Sequence, residues 1–330
     1  MPRLLDRIAQ AKISALPRTF RMKITRLGSF VLGDFRKAKN SMTFAVMPAA
    51  SIEDIEIFHH GSRPLVVRLI RPDGPGPSPV ILDLHGGCWC KGGPSECETR
   101  ARVFAANGMA SAALDFRQSE DRYPSSLEDI NYALRWLRAH AGELRLDAGR
   151  VGILGQSSGG HLAMLAAMRP NDPRYGALPL DADTDAGVRC VGMMWPVINP
   201  LSRYRRVVGL RAAGYPPAWV ADLPERHDTY WENEENMEEG NPMLALERAE
   251  PVATPPAFWF QGTPDPVHDY RDPDAPSGLN EPERFAENYR RAGGSIEIAH
   301  VDQADRSDPA LLGPLVAFFR QHLALPAPRG

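Results

Sequence analysis

The run Val151-Gly152-Ile153-Leu154-Gly155-Gln156-Ser157-Ser158-Gly159-Gly160-His161 decides how the rest of this chain is read. Val151–Leu154 is a short apolar stretch of the kind that forms a buried strand, and Gly160–Met168 continues as an apolar helix. Between them stands the pattern G-x-S-x-G, Gly155 to Gly159. A residue held on so sharp a strand-to-helix turn has strained backbone angles, and side chains two positions away would collide with neighbouring elements. The turn should lift the Ser157 hydroxyl above a sheet and set it at a helix N-terminus, where free N–H groups favour developing negative charge. Taken alone, the pattern is a glycine-rich turn without chemistry; its place between strand and helix makes it a nucleophile elbow.

Outward from this point, apolar strand-like runs alternate with helical patterns. Ile55–Phe58 and Leu65–Ile70 suggest an opening hairpin; Val80–Leu84, broken only by Asp83, and Ala110–Phe116 are further strands. Ser126–His140 is a helix, with Leu127, Ile130, Leu134 and Leu137 at spacings of three and four. Val191–Trp195, Ala257–Gln261 and Ile296–Val301 complete the strands, and Leu311–Leu323 closes the chain as an amphipathic helix. This rhythm requires right-handed crossovers and a mostly parallel central sheet with helices on both faces, an α/β fold. Residues 199–250, rich in Arg, Glu, Pro and Trp, interrupt it and are expected to form an inserted helical cap over the carboxyl ends of the strands. The expected organisation is a basic N-terminal helical arm (1–50) associated with that cap, a core made of 51–198 and 251–330, and the cap itself.

A second signal lies about 70 residues before the elbow, where His85-Gly86-Gly87-Cys88-Trp89 follows the Val80–Leu84 strand. Small residues here let backbone N–H groups approach a reacting carbonyl. Gly86, Gly87 and Ser158 are therefore the expected oxyanion-hole donors. The bland alternative, a tight turn over the sheet, would have no reason to fall on the strand neighbouring the elbow.

Composition narrows the partners. A net charge of -3 gives no global attraction to nucleic acid, so a small-molecule substrate is expected. No run approaches the roughly 18 apolar residues of an integral membrane span, and the first 40 residues lack the apolar core of a signal peptide. Those residues carry ten Lys or Arg against Asp6 and Asp34, which suits a solvated arm on the cap or, as the alternative, a helix resting on anionic lipid. The cysteines Cys88, Cys90, Cys97 and Cys190 show neither zinc-knuckle nor disulfide-framework spacing, so no metal and no cofactor is expected, and the thiols suit the cytoplasm. A homodimer is left open.

The elbow and the glycine turn together resemble the α/β-hydrolase carboxylesterases of the hormone-sensitive-lipase and acetyl-esterase branch, with some likeness to kynurenine-formamidase-type relatives. The resemblance covers roughly residues 60 to 325. It is carried by His85-Gly86-Gly87, Asp115-Phe116-Arg117, Tyr123-Pro124, Leu127-Glu128-Asp129, Gly155–Gly159 and Gln261-Gly262-Thr263-Pro264-Asp265-Pro266-Val267. It implies an α/β-hydrolase fold and makes Asp265 the acid of a Ser–Asp–His triad. It also implies a histidine after the last strand, yet Val301-Asp302-Gln303-Ala304-Asp305-Arg306-Ser307 contains none. A serine hydroxyl without a base is a poor nucleophile. Of the nine histidines, His300 should face inward with Ile296 and Ile298, and His268, three residues past Asp265, is the candidate for a relocated base. Its bland alternative is a polar loop residue.

Trp89 and Trp195, each at or just past a strand end, are the expected substrate-pocket residues, against the alternative that they are core. The function expected is a serine-dependent acyl hydrolase acting on a small or medium apolar ester or amide. Its base would be His268 or another group, such as Asp305 acting on water. Two alternatives stay open: a non-hydrolytic lyase or decarboxylase using the oxyanion hole, and a ligand-binding pseudoenzyme on the same fold.

Overall fold

The computed structural model describes residues 50–275 and 277–325; the arm expected over 1–50 lies outside them but for its last residue. The described chain opens on an antiparallel hairpin, β1 (Ser51–His60) and β2 (Arg63–Arg71). Both strands outrun their apolar centres because charged pairs extend the ladder: Arg68 with Asp54 at 2.7 Å and Arg71 with Glu53 at 3.0 Å. Then follow β3 (Ser78–Leu84), α1 (Glu98–Ala106), β4 (Ala110–Asp115), α2 (Ser125–Ala139), β5 (Leu146–Gln156), α3 (Ser158–Met168) and β6 (Val191–Met194). Residues 199–250 hold four helices: α4 (Pro200–Ala212), α5 (Leu223–Trp231), α6 (Glu234–Glu239) and α7 (Pro242–Glu247). The chain closes with β7 (Ala257–Thr263), α8 (Glu281–Arg291), β8 (Ile296–Asp302) and α9 (Gly313–His322).

The eight strands lie in the order β1-β2-β4-β3-β5-β6-β7-β8. From β4 through β3 to β8 every neighbour is parallel, and β1 and β2 add an antiparallel edge. Alternation along the strands divides the core between two faces. Val80, Leu82, Leu84, Ile153 and Trp259 pack with α2 and α3 on one. Ile81, Leu154, Phe258 and Phe260 meet Phe104 of α1 and Leu315 and Phe319 of α9 on the other. Burial on both faces is why these strands appear in the sequence as continuous apolar runs.

Asp83, the polar break in β3, is fully buried and answered by Arg100 of α1. Arg100 Nε donates to both carboxylate oxygens at 2.9 Å, and Nη2 donates to Oδ1 at 2.8 Å. The same guanidinium donates to the Leu84 carbonyl at 3.3 Å and, through Nη1, to Gln156 Oε1 at 3.0 Å. One buried cation thus joins the end of β3 to the residue before Ser157.

The sheet ends at β8, and there period-two reasoning fails. His300 is exposed, not buried beside Ile296, and its Nδ1 lies 3.0 Å from Thr263 Oγ1. An edge strand is covered along only part of its length, so a shared face does not guarantee burial. Among the described residues no helix is long and apolar enough to cross a membrane.

Candidate active site

Ser157 joins β5 to α3 with φ 53° and ψ -117°, a conformation that L-residues rarely adopt. Three backbone hydrogen bonds hold it: its N–H donates to Met194 O at 2.9 Å, and its carbonyl accepts from Val197 N and His161 N, each at 3.1 Å. The flanking glycines are demanded by close approach. A Cβ on Gly155 would lie 2.0 Å from Gly159 O, and one on Gly159 would lie 2.2 Å from His85 O. The second contact seats the elbow directly against the end of β3, so the glycine turn and the serine meet. A Cβ on Gly86 would stand only 3.4 Å from Ser157 Cβ.

Gly87 takes φ 115°, and a side chain there would strike Lys91 O. The N–H groups of Gly86, Gly87 and Ser158 donate to no other described residue, Ser158 because it opens α3. Buried His85 keeps the turn in place: its Nδ1–H donates to Gly86 O at 2.8 Å, and its ring stacks on Phe116 at 4.3 Å.

The acidic partner arrives two residues past β7. Asp265 Oδ1 accepts from the amides of Val267 (3.0 Å) and His268 (3.2 Å), and Oδ2 from Gln261 Nε2 (3.3 Å) and Arg306 Nη1 (3.2 Å). His268 Nδ1–H donates to Asp265 Oδ2 at 2.9 Å, which fixes the tautomer. Its Nε2 is thereby an acceptor, and it stands 3.1 Å from Ser157 Oγ. Serine, histidine and aspartate form one chain of hydrogen bonds although the histidine is not where the resemblance puts it.

The electrostatics favour a neutral ring beside an ionised acid. Burial pushes His268 below its ordinary 6.5; Asp265 opposes this, while the Arg203 and Arg306 cations add to it. Burial alone would raise Asp265, but the hydrogen bond and attraction from His268, the Val267 amide and Arg306 together hold it below its ordinary 3.8.

The other candidates separate plainly. The turn after β8 delivers Arg306 instead of a histidine, and Arg306 also lies 4.7 Å over the Trp195 ring. Asp305, considered as a substitute base, is exposed. His161 donates to Gly240 O at 2.7 Å and accepts from Trp89 Nε1 at 3.2 Å; His227 donates to Leu223 O at 2.7 Å. Burial lowers these two imidazoles to about 4 and about 3, so both are neutral core groups.

Trp89 does not stand on an open wall. It is 1% exposed and packs against Tyr230 and Trp231 of α5, tying the glycine turn to the inserted helices. The sequence could not distinguish this packing from a pocket wall, since both need a large aromatic at a strand end. Trp195, also buried, lines a cavity of about 310 Å³ with Gln156, Met194, Arg306 and Glu96 beside the elbow. All four cysteines are unpaired, and burial pushes the Cys88 thiol up to about 12, leaving it protonated and unreactive. No group of His, Cys, Asp or Glu among the described residues is arranged to hold a metal ion.

A family model described as BD-FAE matches residues 69–191, the span from β2 to the start of β6 that contains both the glycine turn and the elbow. The probable carboxylic ester hydrolase LipM of Mycobacterium tuberculosis is 35% identical over 111 residues, which cover 33% of this chain and 26% of that protein. Residues 69–191 are similar to carboxylic ester hydrolases, and the described chain has the α/β-hydrolase fold. It thus spans about a quarter of LipM's length. A longer, weaker likeness joins this chain to the ethyl acetate hydrolase of Pseudomonas putida, 26% identical over 76% of this chain and 73% of that one. A hyperthermophilic esterase from Pyrobaculum calidifontis shares its fold with a TM-score of 0.60 at 20% identity, across 83% of this chain and 84% of that one.

Proposed function

We propose that this α/β-hydrolase is a serine-dependent acyl hydrolase acting on carboxyl esters of small or medium size. The observation that carries the proposal is the pair of distances centred on His268: 3.1 Å to Ser157 Oγ and 2.9 Å to Asp265 Oδ2. Ser157 Oγ attacks the acyl carbon while His268 Nε2 takes its proton, and Asp265 steadies the imidazolium that forms. The N–H groups of Gly86, Gly87 and Ser158 hold the oxyanion; one such donor is worth roughly 3 kcal/mol. His268 then returns the proton to the leaving alcohol, and the same ring activates the water that releases the acid. Helices α4–α7 serve as the cap, and the unpaired thiols support residence in the cytoplasm. A binding protein would have no use for a base already hydrogen-bonded to the serine, and the ester hydrolases that the chain resembles favour hydrolysis over a lyase reaction.

The test is direct. The folded protein should take up a fluorophosphonate probe at Ser157 and turn over short p-nitrophenyl esters; a folded sample that does neither overturns the proposal. The pH profile gives a second check. Only neutral His268 can accept the serine proton, and its folded pKa is depressed. Activity should therefore hold as pH falls below 6.5 and decline only as pH passes through the lower folded value. An acid limb of kcat/KM centred above about 6.5, the ordinary histidine value, would contradict this placement of the base.

A further inference from the structure

Arg203 of α4 is 3% exposed, and its Nε and Nη1 have no hydrogen-bond partner among the described residues. It forms no ion pair among the described residues. The other two arginines buried as whole residues among the described residues are fully engaged: Arg100 donates to Asp83, Leu84 and Gln156, and Arg284 to Glu247, Asp272 and Glu281. An ion taken out of water without a partner costs several kcal/mol, and proteins tolerate it where a ligand supplies the missing charge.

Its position indicates which ligand. Asn199 caps α4 by accepting from Ser202 N at 3.1 Å, and Val197, just upstream, donates to Ser157 O. The helix carrying Arg203 thus starts at the elbow. Its charge reaches His268, Cys88 of the glycine turn, His227 and Tyr270. None of these is an anion that could neutralise it. The positive charge also weakens His268 as a base, because an imidazolium forming nearby is repelled. A negative group delivered with the substrate would remove both penalties at once.

Building on the serine-hydrolase reading, we infer that Arg203 binds a carboxylate carried by the substrate, so that the preferred esters are anionic. A planar guanidinium with free Nε and Nη donors matches a carboxylate, and a lysine in its place would offer only a point charge.

The experiment compares kcat/KM for p-nitrophenyl butyrate with that for the mono-p-nitrophenyl ester of glutaric acid, which bears the charge on the acyl side. Phenyl acetate is compared in the same way with 4-carboxyphenyl acetate, which bears it on the alcohol side. The wild type should prefer the charged member of at least one pair. In Arg203→Met the charged-to-neutral ratio for that pair should fall about 100-fold or more, in keeping with loss of a buried charge-assisted contact. Arg203→Lys should recover part of it. Free glutarate or 4-hydroxybenzoate should raise the Tm of the wild type and not that of Arg203→Met. A wild type that labels at Ser157 yet shows no charge preference, or an Arg203→Met ratio equal to wild type, overturns the inference while leaving the hydrolase reading intact. Failure to label at Ser157 would remove the reading beneath it. Should Arg203→Met not fold, the wild-type preference and the Lys variant decide the matter.

Discussion

Replacing His268 by alanine should lower kcat/KM on a short p-nitrophenyl ester by about 10⁴–10⁶-fold, with a smaller change in KM. The size follows from the absence of any substitute. His161 and His227 are engaged with backbone carbonyls and packed into the aromatic core, His85 is bound to Gly86 O, and His300 is exposed on the edge strand. Ser157→Ala should be as damaging, and the double variant scarcely worse than either, because both residues serve the same proton transfer. Asp265→Asn should cost about 10⁴-fold by stabilising the wrong tautomer of His268. Circular dichroism and Tm separate these losses from unfolding. A His268→Ala protein that retains activity within about tenfold of wild type would mean that the base lies elsewhere.

Arg100→Met should destabilise the fold by about 3–5 kcal/mol, because it leaves the Asp83 carboxylate buried between two sheet faces without its partner. Denaturant unfolding followed by tryptophan fluorescence measures this. Removing both charges in Asp83→Leu/Arg100→Met should recover much of the loss, since apolar groups of similar volume replace a desolvated pair at little cost. Activity should not return in step with stability. Arg100 also holds Gln156, the residue before Ser157, so the elbow loses a tether that leucine and methionine cannot replace. Equal stability of Arg100→Met and wild type would show that Asp83 finds water or another donor.

The parts legible in the sequence are those in which a local pattern and the burial it demands agree. Val80–Leu84 and Val151–Leu154 are buried on both faces and look it. Leu127, Ile130, Leu134 and Leu137 mark one face of α2, and Ser157 sits on a turn whose close approaches demand glycine at 155 and 159. Strand ends were less visible. The first residues of β5, Leu146-Asp147-Ala148-Gly149-Arg150, extend the strand through polar positions that apolar counting passes over. The site was legible on one side. Gly86, Gly87, Ser157 and Asp265 announce themselves by motif, whereas the contact between His268 and Ser157 spans 111 positions and leaves no local trace. The arginines were hidden for the same reason. Arg203 stands in an insertion where arginine is common, and Arg306 occupies the stretch where the family resemblance implies an imidazole. Whether such a cation is paired depends on tertiary partners, which no pattern of spacing records.

Asp265 and His268 share a single turn, with only Pro266 and Val267 between them. A base placed this way can be acquired by one substitution, since the residue three positions after the acid already overhangs the serine. Arg306, from the turn after β8, donates to the same Oδ2 that accepts from His268, so the stretch that lacks an imidazole still steadies the acid.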